Sequence, residues 1–339
     1  MLLEVRNLTS RFFLDDGVVR AVEDVSFELA EGEALGIVGE SGSGKTATVM
    51  SVLGLLTPPG RVVSGEVRFE GEDLLTVSDE EMRKIRGNRM TLVPQNPMAS
   101  LNPVFTIEWQ LREALTSHQD IPRGEVRDRI VDALRLAGIP DPGAQLNRYP
   151  HEFSGGMRQR ILIAMATLNQ PVLMLADEPT TALDTTMQAK VLELMAELVA
   201  RSRMALLIIT HNMGVVASIC DRVIVMYAGR IVEAGPVGVL FRDPLHPYTR
   251  QLLLATPRLG EKRVGSAEIR ESAGAGATGG CAFLSRCPLA EEQCGEMPLL
   301  QGAGPDRLVR CWVAQRDVAL AASTSTSAAD GGADHGRAT

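Results

Sequence analysis

Apolar positions along this chain follow three rhythms. Residues 2–8 and 20–29 alternate apolar with polar, the pattern of half-buried strands in an antiparallel flank. Residues 11–17, Arg11-Phe12-Phe13-Leu14-Asp15-Asp16-Gly17, read as a turn carrying aromatics between them. Ala34-Leu35-Gly36-Ile37-Val38 is an unbroken apolar run of strand length, as expected for a strand covered on both faces. A helical run over 46–56 follows and stops hard at Thr57-Pro58-Pro59-Gly60. A strand and turn are predicted over 66–71, a short charged helix over 79–86, and a strand over 90–93 that ends at Pro94-Gln95. Residues 97–150 change character. Helical spacing dominates at 107–118 and 126–137, with Pro/Gly breaks at 122–124 and 140–143. From 172 the pattern becomes strand, helix, strand, helix: 172–176, 186–200, 205–210 and 213–219. The strands 223–227 and 230–233 flank Ala228-Gly229 as a hairpin. Alternation of strands and helices predicts an α/β fold with a parallel sheet and helices on its faces.

Beyond about residue 258 the composition shifts. Residues 274–280 are mostly Gly and Ala, the composition of a flexible linker. Four of the five cysteines fall between 281 and 311, and from 319 onward the chain is Ala, Ser, Thr, Gly and Asp, which predicts disorder. The expected organisation is therefore a core with its antiparallel flank over 1–96, a helical insertion over 97–160, the resumed core over 161–258, a Cys-rich extension over 259–318 and a disordered tail over 319–339. No apolar run approaches the ~20 residues that cross a bilayer. The start, Met1-Leu2-Leu3-Glu4-Val5-Arg6, carries an early acid and no long apolar core, so no secretory leader is expected and the chain is placed in the cytoplasm. The net charge of −8, with Lys and Arg scattered, argues against a nucleic-acid partner, which needs a basic footprint.

The chemistry concentrates around Gly39-Glu40-Ser41-Gly42-Ser43-Gly44-Lys45-Thr46, which reads G-x-x-x-x-G-K-[ST]. A strand precedes it and a helix follows, as a phosphate-binding loop requires. Glycines let the backbone approach phosphates that a Cβ would obstruct, and the loop amides with the helix N-terminus point at the anion. Lys45 is expected to reach the terminal phosphates and Thr46 to hold Mg²⁺ through its hydroxyl. The buried run 173–176 ends in Asp177-Glu178. A carboxylate at the end of an apolar strand needs a compensating cation, which makes Asp177 a Mg²⁺ ligand candidate and Glu178 a general base for an attacking water. Two solvated acids at a strand end is the plain alternative; the intact phosphate loop disfavours it.

The chain is similar to the ATP-binding subunits of ABC transporters, in particular the DppD/OppD-type subunits of dipeptide and oligopeptide permeases, from about residue 3 to 312. Phe153-Ser154-Gly155-Gly156-Met157-Arg158-Gln159-Arg160 resembles the ABC signature, with Phe153 for Leu and Met157 for Gln. Gln95 resembles the Q-loop glutamine, a ligand of Mg²⁺ and water. Thr181-Ala182-Leu183-Asp184 resembles the D-loop, and Thr210-His211-Asn212 the H-loop, with Asn212 where the group usually has Asp. Phe12 or Phe13 would be the aromatic that stacks on adenine. The resemblance implies a P-loop NTPase ABC cassette: a RecA-like core, an antiparallel β flank, an inserted α-helical subdomain and a Cys-rich C-terminal extension. It further implies that Gly39, Ser41, Gly42, Ser43, Gly44, Lys45 and Thr46 hold one nucleotide, while Ser154, Gly155, Gly156 and Asp184 face the nucleotide held by a second, DppF/OppF-like ATP-binding subunit in a head-to-tail dimer. His211 would contact the γ-phosphate. The expected assembly adds two permease subunits and an extracytoplasmic substrate-binding protein, with this chain peripheral on the cytoplasmic face of the inner membrane. The implied cargo is di- or oligopeptides, with nickel or another small solute as alternatives; a non-transport ABC ATPase is the remaining reading. The segment His246-Pro247-Tyr248-Thr249-Arg250 also resembles this group, and no chemistry is assigned to it.

Cys281-x₅-Cys287-x₆-Cys294-x₁₆-Cys311 lacks the tight C-x₂₋₄-C pairs that zinc favours, and its wider spacing is compatible with four-thiolate iron–sulfur ligation. Some DppD/OppD members carry a 4Fe-4S cluster here, so the resemblance implies one. Zinc and free or disulfide-linked thiols remain open. Cys220, within an apolar helix pattern, is expected to be a packed thiol.

Overall fold

The structure, a computed structural model, describes residues 1–181, 183–255 and 279–330, with side chains described through 321. Two sheets organise it. The central sheet is built from β3 (Ala34–Val38), β6 (Met90–Val93), β7 (Leu173–Asp177), β8 (Ala205–Thr210), β9 (Arg222–Tyr227), β10 (Arg230–Pro236), β11 (Gln301–Gly302) and β12 (Leu308–Val309). Its order is β11-β12-β10-β9-β3-β8-β7-β6. The run from β9 to β6 is parallel, and β10, β12 and β11 continue it antiparallel. Every residue of β3, β7 and β8 is buried, which is why these strands read as continuous apolar runs rather than alternating ones. The C-terminal ends of β3 and β7 lie beside the switch in strand order around β3, where open α/β sheets bind ligands.

The second sheet is antiparallel, with order β2-β1-β4-β5 over β1 (Leu3–Leu14), β2 (Gly17–Leu29), β4 (Gly60–Phe69) and β5 (Glu72–Asp73). Phe12 and Phe13 are not in a turn. β1 runs through them to Leu14, pairing Phe12 with Val19 and Phe13 with Val18, and the reversal is confined to Asp15-Asp16. Register shifts in β1 between Val5 and Arg11 break the simple alternation there and hid the continuation. The helix Lys45–Val52 packs with this sheet: Val49, Val52 and Leu53 share one buried cluster with Leu3, Val5, Phe27 and Ile37.

The insertion is helical as expected, with Ile107–Thr116 and Arg123–Leu136 packed on Gly155–Thr167. Leu111, Leu115, Ile130, Leu134 and Ile163 form its core, which is continuous with Val93, Ala176 and Ile208 of the sheet. The C-terminal extension does not stand apart. β12 pairs with β10 (Glu233 with Val309), and Phe283 is buried with Tyr248, Val225 and Leu240. A segment with little apolar surface of its own is thus held by the edge of the main sheet. Trp312–Asp330 is one helix, so the tail expected to be disordered from 319 carries helical backbone to 330. Its Ala-rich composition has high helix propensity, which the compositional reading of disorder undervalued. The predicted linker over 274–280 falls outside the described residues as far as 278. Among the described residues no helix is long and apolar enough to cross a membrane.

Candidate active site

The phosphate loop connects β3 to the helix Lys45–Val52, and its neighbours fix its shape. Gly44 has φ +101°, and a Cβ there would lie 2.2 Å from the Ala21 carbonyl oxygen. At Gly39 a Cβ would come within 2.3 Å of the Met226 carbonyl oxygen. These two glycines are required because β2 and β9 press against the loop, in addition to any need of a ligand. The Gly229 amide of the β9–β10 turn donates to the Ser43 carbonyl at 3.0 Å.

Lys45 is buried. Its ammonium donates to the carbonyls of Gly39 (2.9 Å) and Glu40 (2.8 Å) and to Ser43 Oγ (3.4 Å). Loss of water lowers its pKa, against the charges of Glu178, Asp177 and Glu40. Asp177, 4% exposed at the tip of β7, is shifted the opposite way. Burial raises its pKa, partly opposed by a hydrogen bond from Thr46 Oγ1 to Asp177 Oδ1 at 3.3 Å. Both charges are short of solvent, the condition that a bound phosphate and cation relieve. Thr46 and Asp177 thus present adjacent oxygens of the kind a hard divalent ion takes, so the residues present fit Mg²⁺.

Glu178 adopts a left-handed backbone, φ 45°, and its amide donates to the Ile209 carbonyl of β8 at 2.9 Å. This turns the carboxylate toward the loop. Gln95 Nε2 and Thr181 Oγ1 both donate to Oε2 at 2.9 Å, and His211 Nδ1 lies 3.1 Å from Oε1. Burial alone would raise the Glu178 pKa; the hydrogen bonds from His211 and Thr181 outweigh it and hold the carboxyl below the usual range. Residues just beyond the C-terminal ends of β6, β7 and β8 therefore meet at one carboxylate. Sequence reasoning singled out Gln95, Glu178 and His211 separately, but not Thr181 as a ligand of Glu178, since three-residue proximity on a turn carries no distinguishing signal.

Ser154, Gly155 and Gly156 open the helix Gly155–Thr167, where Ser154 Oγ accepts from the Met157 amide at 3.3 Å. Ser154 and Gly155 are exposed. Asp184 caps Thr185–Ser202 through the Met187 amide at 3.0 Å. Ala182 of the same turn lies outside the described residues. Phe12 sits against Gly60, while Phe13 is exposed with the Arg61 guanidinium 4.1 Å from its ring centre. Their partners Val19 and Val18 lie two and three residues along β2 from Ala21, which touches Gly44. At ~3.4 Å per residue, those partners stand roughly 7–10 Å along β2 from Ala21.

Two contacts had no sequence signal. Arg286 forms a two-pronged pair with Glu40, Nη1 to Oε2 and Nη2 to Oε1, both at 2.8 Å. The Tyr248 hydroxyl accepts from the Glu40 amide at 2.8 Å. Both partners lie more than 200 residues from the loop in sequence, so no local pattern could announce them.

The four C-terminal cysteines share one neighbourhood. The Cys281 amide donates to the Cys294 carbonyl at 3.0 Å. Burial raises the Cys281, Cys287 and Cys311 thiols, and each is raised further by neighbouring members of the set. Among the described residues, no three Cys, His, Asp or Glu side chains could hold one metal ion, so a single zinc ion finds no converged ligand set here. Cys220 is packed as expected, its thiol pushed up to about 12 by burial.

Against known proteins, residues 22–181 match the ABC transporter family and residues 232–294 match the oligopeptide/dipeptide transporter C-terminal region. The probable peptide ABC transporter ATP-binding protein y4tR of Sinorhizobium fredii is 46% identical over 319 residues, 92% of this chain and 95% of that protein. The dipeptide transport ATP-binding protein DppD of Haemophilus influenzae is 43% identical over 313 residues, 91% of this chain and 94% of that protein. The dimeric post-hydrolysis structure of the ATP-binding cassette MJ0796, bound to ADP and Pi, superposes with a TM-score of 0.62 at 27% identity, covering 70% of this chain and 99% of that one. By these matches over most of its length, this chain belongs to the ABC transporter ATP-binding proteins, in their oligopeptide/dipeptide branch.

Proposed function

We propose that this chain is the ATP-hydrolysing motor subunit of an importer for di- and oligopeptides. The observation that carries the reading is the convergence of Gln95, Thr181 and His211 on Glu178, in a chain whose 232–294 segment matches the peptide-transporter C-terminal region. ATP would lie along the loop from Gly39 to Thr46, with Ser41, Gly42 and Ser43 offering backbone amides and Lys45 exchanging its carbonyl partners for phosphate oxygens. Thr46 and Asp177 would hold Mg²⁺, with Gln95 at its edge; the ion neutralises charge on the phosphates. Glu178 orients the attacking water and takes its proton, and His211 contacts the γ-phosphate. Phe13, exposed apart from the Arg61 guanidinium over one face of its ring, is the better placed of the two aromatics to stack on adenine.

One subunit offers only half of a site, because Ser154 and Gly155 are exposed on a different helix from Lys45. A head-to-tail partner cassette completes it, in keeping with the dimeric assembly of the cassette above. Closure and reopening of that pair would move the helical insertion against two membrane permease subunits, at the cytoplasmic face, with a substrate-binding protein delivering peptide outside. The Cys281, Cys287, Cys294 and Cys311 set is proposed to hold a 4Fe-4S cluster. What supports it is the four-cysteine spacing together with the nearness of the thiols, since Cys281, Cys287 and Cys311 are each raised by other members of the set. When bound, such a cluster supplies a structural staple with redox capacity; the thiols' part is to ionise and hold it.

The test is reconstitution of the chain with its cognate cassette and permease subunits in liposomes. ATP hydrolysis should rise when the binding protein is loaded with a dipeptide, and peptide should accumulate inside. Hydrolysis stimulated by nickel chelates and by no peptide would overturn the cargo. Anaerobically purified protein lacking iron, acid-labile sulfide and broad visible absorbance would remove the cluster.

A further inference from the structure

The phosphate loop is held from outside by the C-terminal extension. Glu40 is engaged at three points: its carboxylate by both guanidinium prongs of Arg286, its amide by the Tyr248 hydroxyl, and its carbonyl by the Lys45 ammonium. Arg286 itself is fixed, 14% exposed and lying over the Tyr227 and Phe283 rings at 5.7 and 5.5 Å from their centres. Tyr227, Tyr248 and Phe283 pack edge-on and tilted against one another. They belong to a buried cluster with Val38, the residue before the loop. The loop's second residue is thus bolted to an aromatic platform that spans β9, the helix Pro247–Ala255 and the Cys281–Cys287 turn.

The charge arrangement gives this clamp a purpose. Lys45 already senses the negative charge of Glu40. Unless the Glu40 carboxylate is occupied, it can pair with the Lys45 ammonium and compete with the phosphates for it. A two-pronged guanidinium occupies both oxygens and fixes their direction, which a point charge cannot do as well. We propose that Arg286, seconded by Tyr248, is a positioning residue for ATP: it keeps the Glu40 carboxylate from acting as an internal rival for Lys45, and so couples the Cys-rich extension to nucleotide affinity. This rests on the nucleotide reading above.

The experiment measures Mg-ATP affinity of the full chain by titration calorimetry, with thermal melting in parallel, for wild type, Arg286→Ala, Arg286→Lys and the double variant Arg286→Ala/Glu40→Gln. Loss of one charged hydrogen-bonded clamp predicts roughly tenfold weaker binding in Arg286→Ala, and an intermediate value in Arg286→Lys. The decisive arm is the double variant. Removing the rival charge should recover most of the lost affinity, although the clamp is still absent. A merely structural Arg286 would show no such recovery. Double-variant affinity no better than Arg286→Ala overturns the inference, as does wild-type affinity in Arg286→Ala. Should Arg286→Ala fail to fold, Arg286→Lys with and without Glu40→Gln makes the same comparison. Wild-type protein that binds no Mg-ATP would instead overturn the nucleotide reading itself.

Discussion

Glu178→Gln separates chemistry from binding in this site. The substitution keeps shape and changes one atom and one charge. An amide oxygen in the place of Oε2 still accepts from Gln95 and Thr181, each now at 2.9 Å. The amide nitrogen then faces His211 Nδ1, at 3.1 Å from Oε1, which accepts in the appropriate tautomer. No donor is left facing a donor, so the cost in stability is the loss of charge assistance alone, ~1 kcal/mol. What disappears is the proposed base. Loss of general base catalysis lowers turnover by about 10²–10⁴-fold, which is roughly 2.7–5.4 kcal/mol on the barrier at 1.36 kcal/mol per decade. Single-turnover hydrolysis with excess enzyme gives the chemical step, and equilibrium titration gives the Mg-ATP affinity. The expected result is hydrolysis slowed at least a hundredfold, affinity within about threefold of wild type, and a dimer that persists on size exclusion when Mg-ATP is present. Turnover within a few-fold of wild type would refute the assignment of Glu178. So would loss of ATP binding, because it would place Glu178 in the binding machinery rather than in the step after it.

Two further outcomes follow from the same geometry. Lys45→Ala should weaken Mg-ATP binding by at least a hundredfold in titration, because the ammonium is the one buried cation of the loop that can turn from Gly39 and Glu40 to phosphate; unchanged affinity would remove the phosphate-loop assignment. Glu178 is held below the ordinary glutamate value of 4.5, so it contributes stability that is present above that pH and lost as pH falls through the folded value; melting curves between about pH 6 and 3 should show Glu178→Gln losing less stability on acidification than wild type, and parallel losses would contradict it.

Much of the cassette was legible because its signals are local. β3, β7 and β8 are covered on both faces, and that demands unbroken apolar runs which a reader can see. The loop from Gly39 to Thr46 declares itself because phosphate approach restricts residue type position by position. Glu178, Gln95 and His211 were each found at the end of a strand, but their meeting was not, since strand order β3-β8-β7-β6 brings together positions 83 and 33 residues apart. The course of β1 through Phe12 and Phe13 was missed where register shifts interrupt alternation. The helix Trp312–Asp330 was missed because an Ala- and Ser-rich composition serves disorder and helix alike.

By itself the sequence determined the order of elements, the glycine-rich loop and the candidates for the reacting groups. All of these depend on periodicity or on spacing within a few residues. Only the tertiary structure decided that Arg286 and Tyr248 grip Glu40, that Gly39 and Gly44 are forced by the backbones of β9 and β2, and that β12 closes onto β10. Those contacts join segments far apart in the chain. Their free energy comes from burial and paired charge at a meeting point that no local pattern encodes.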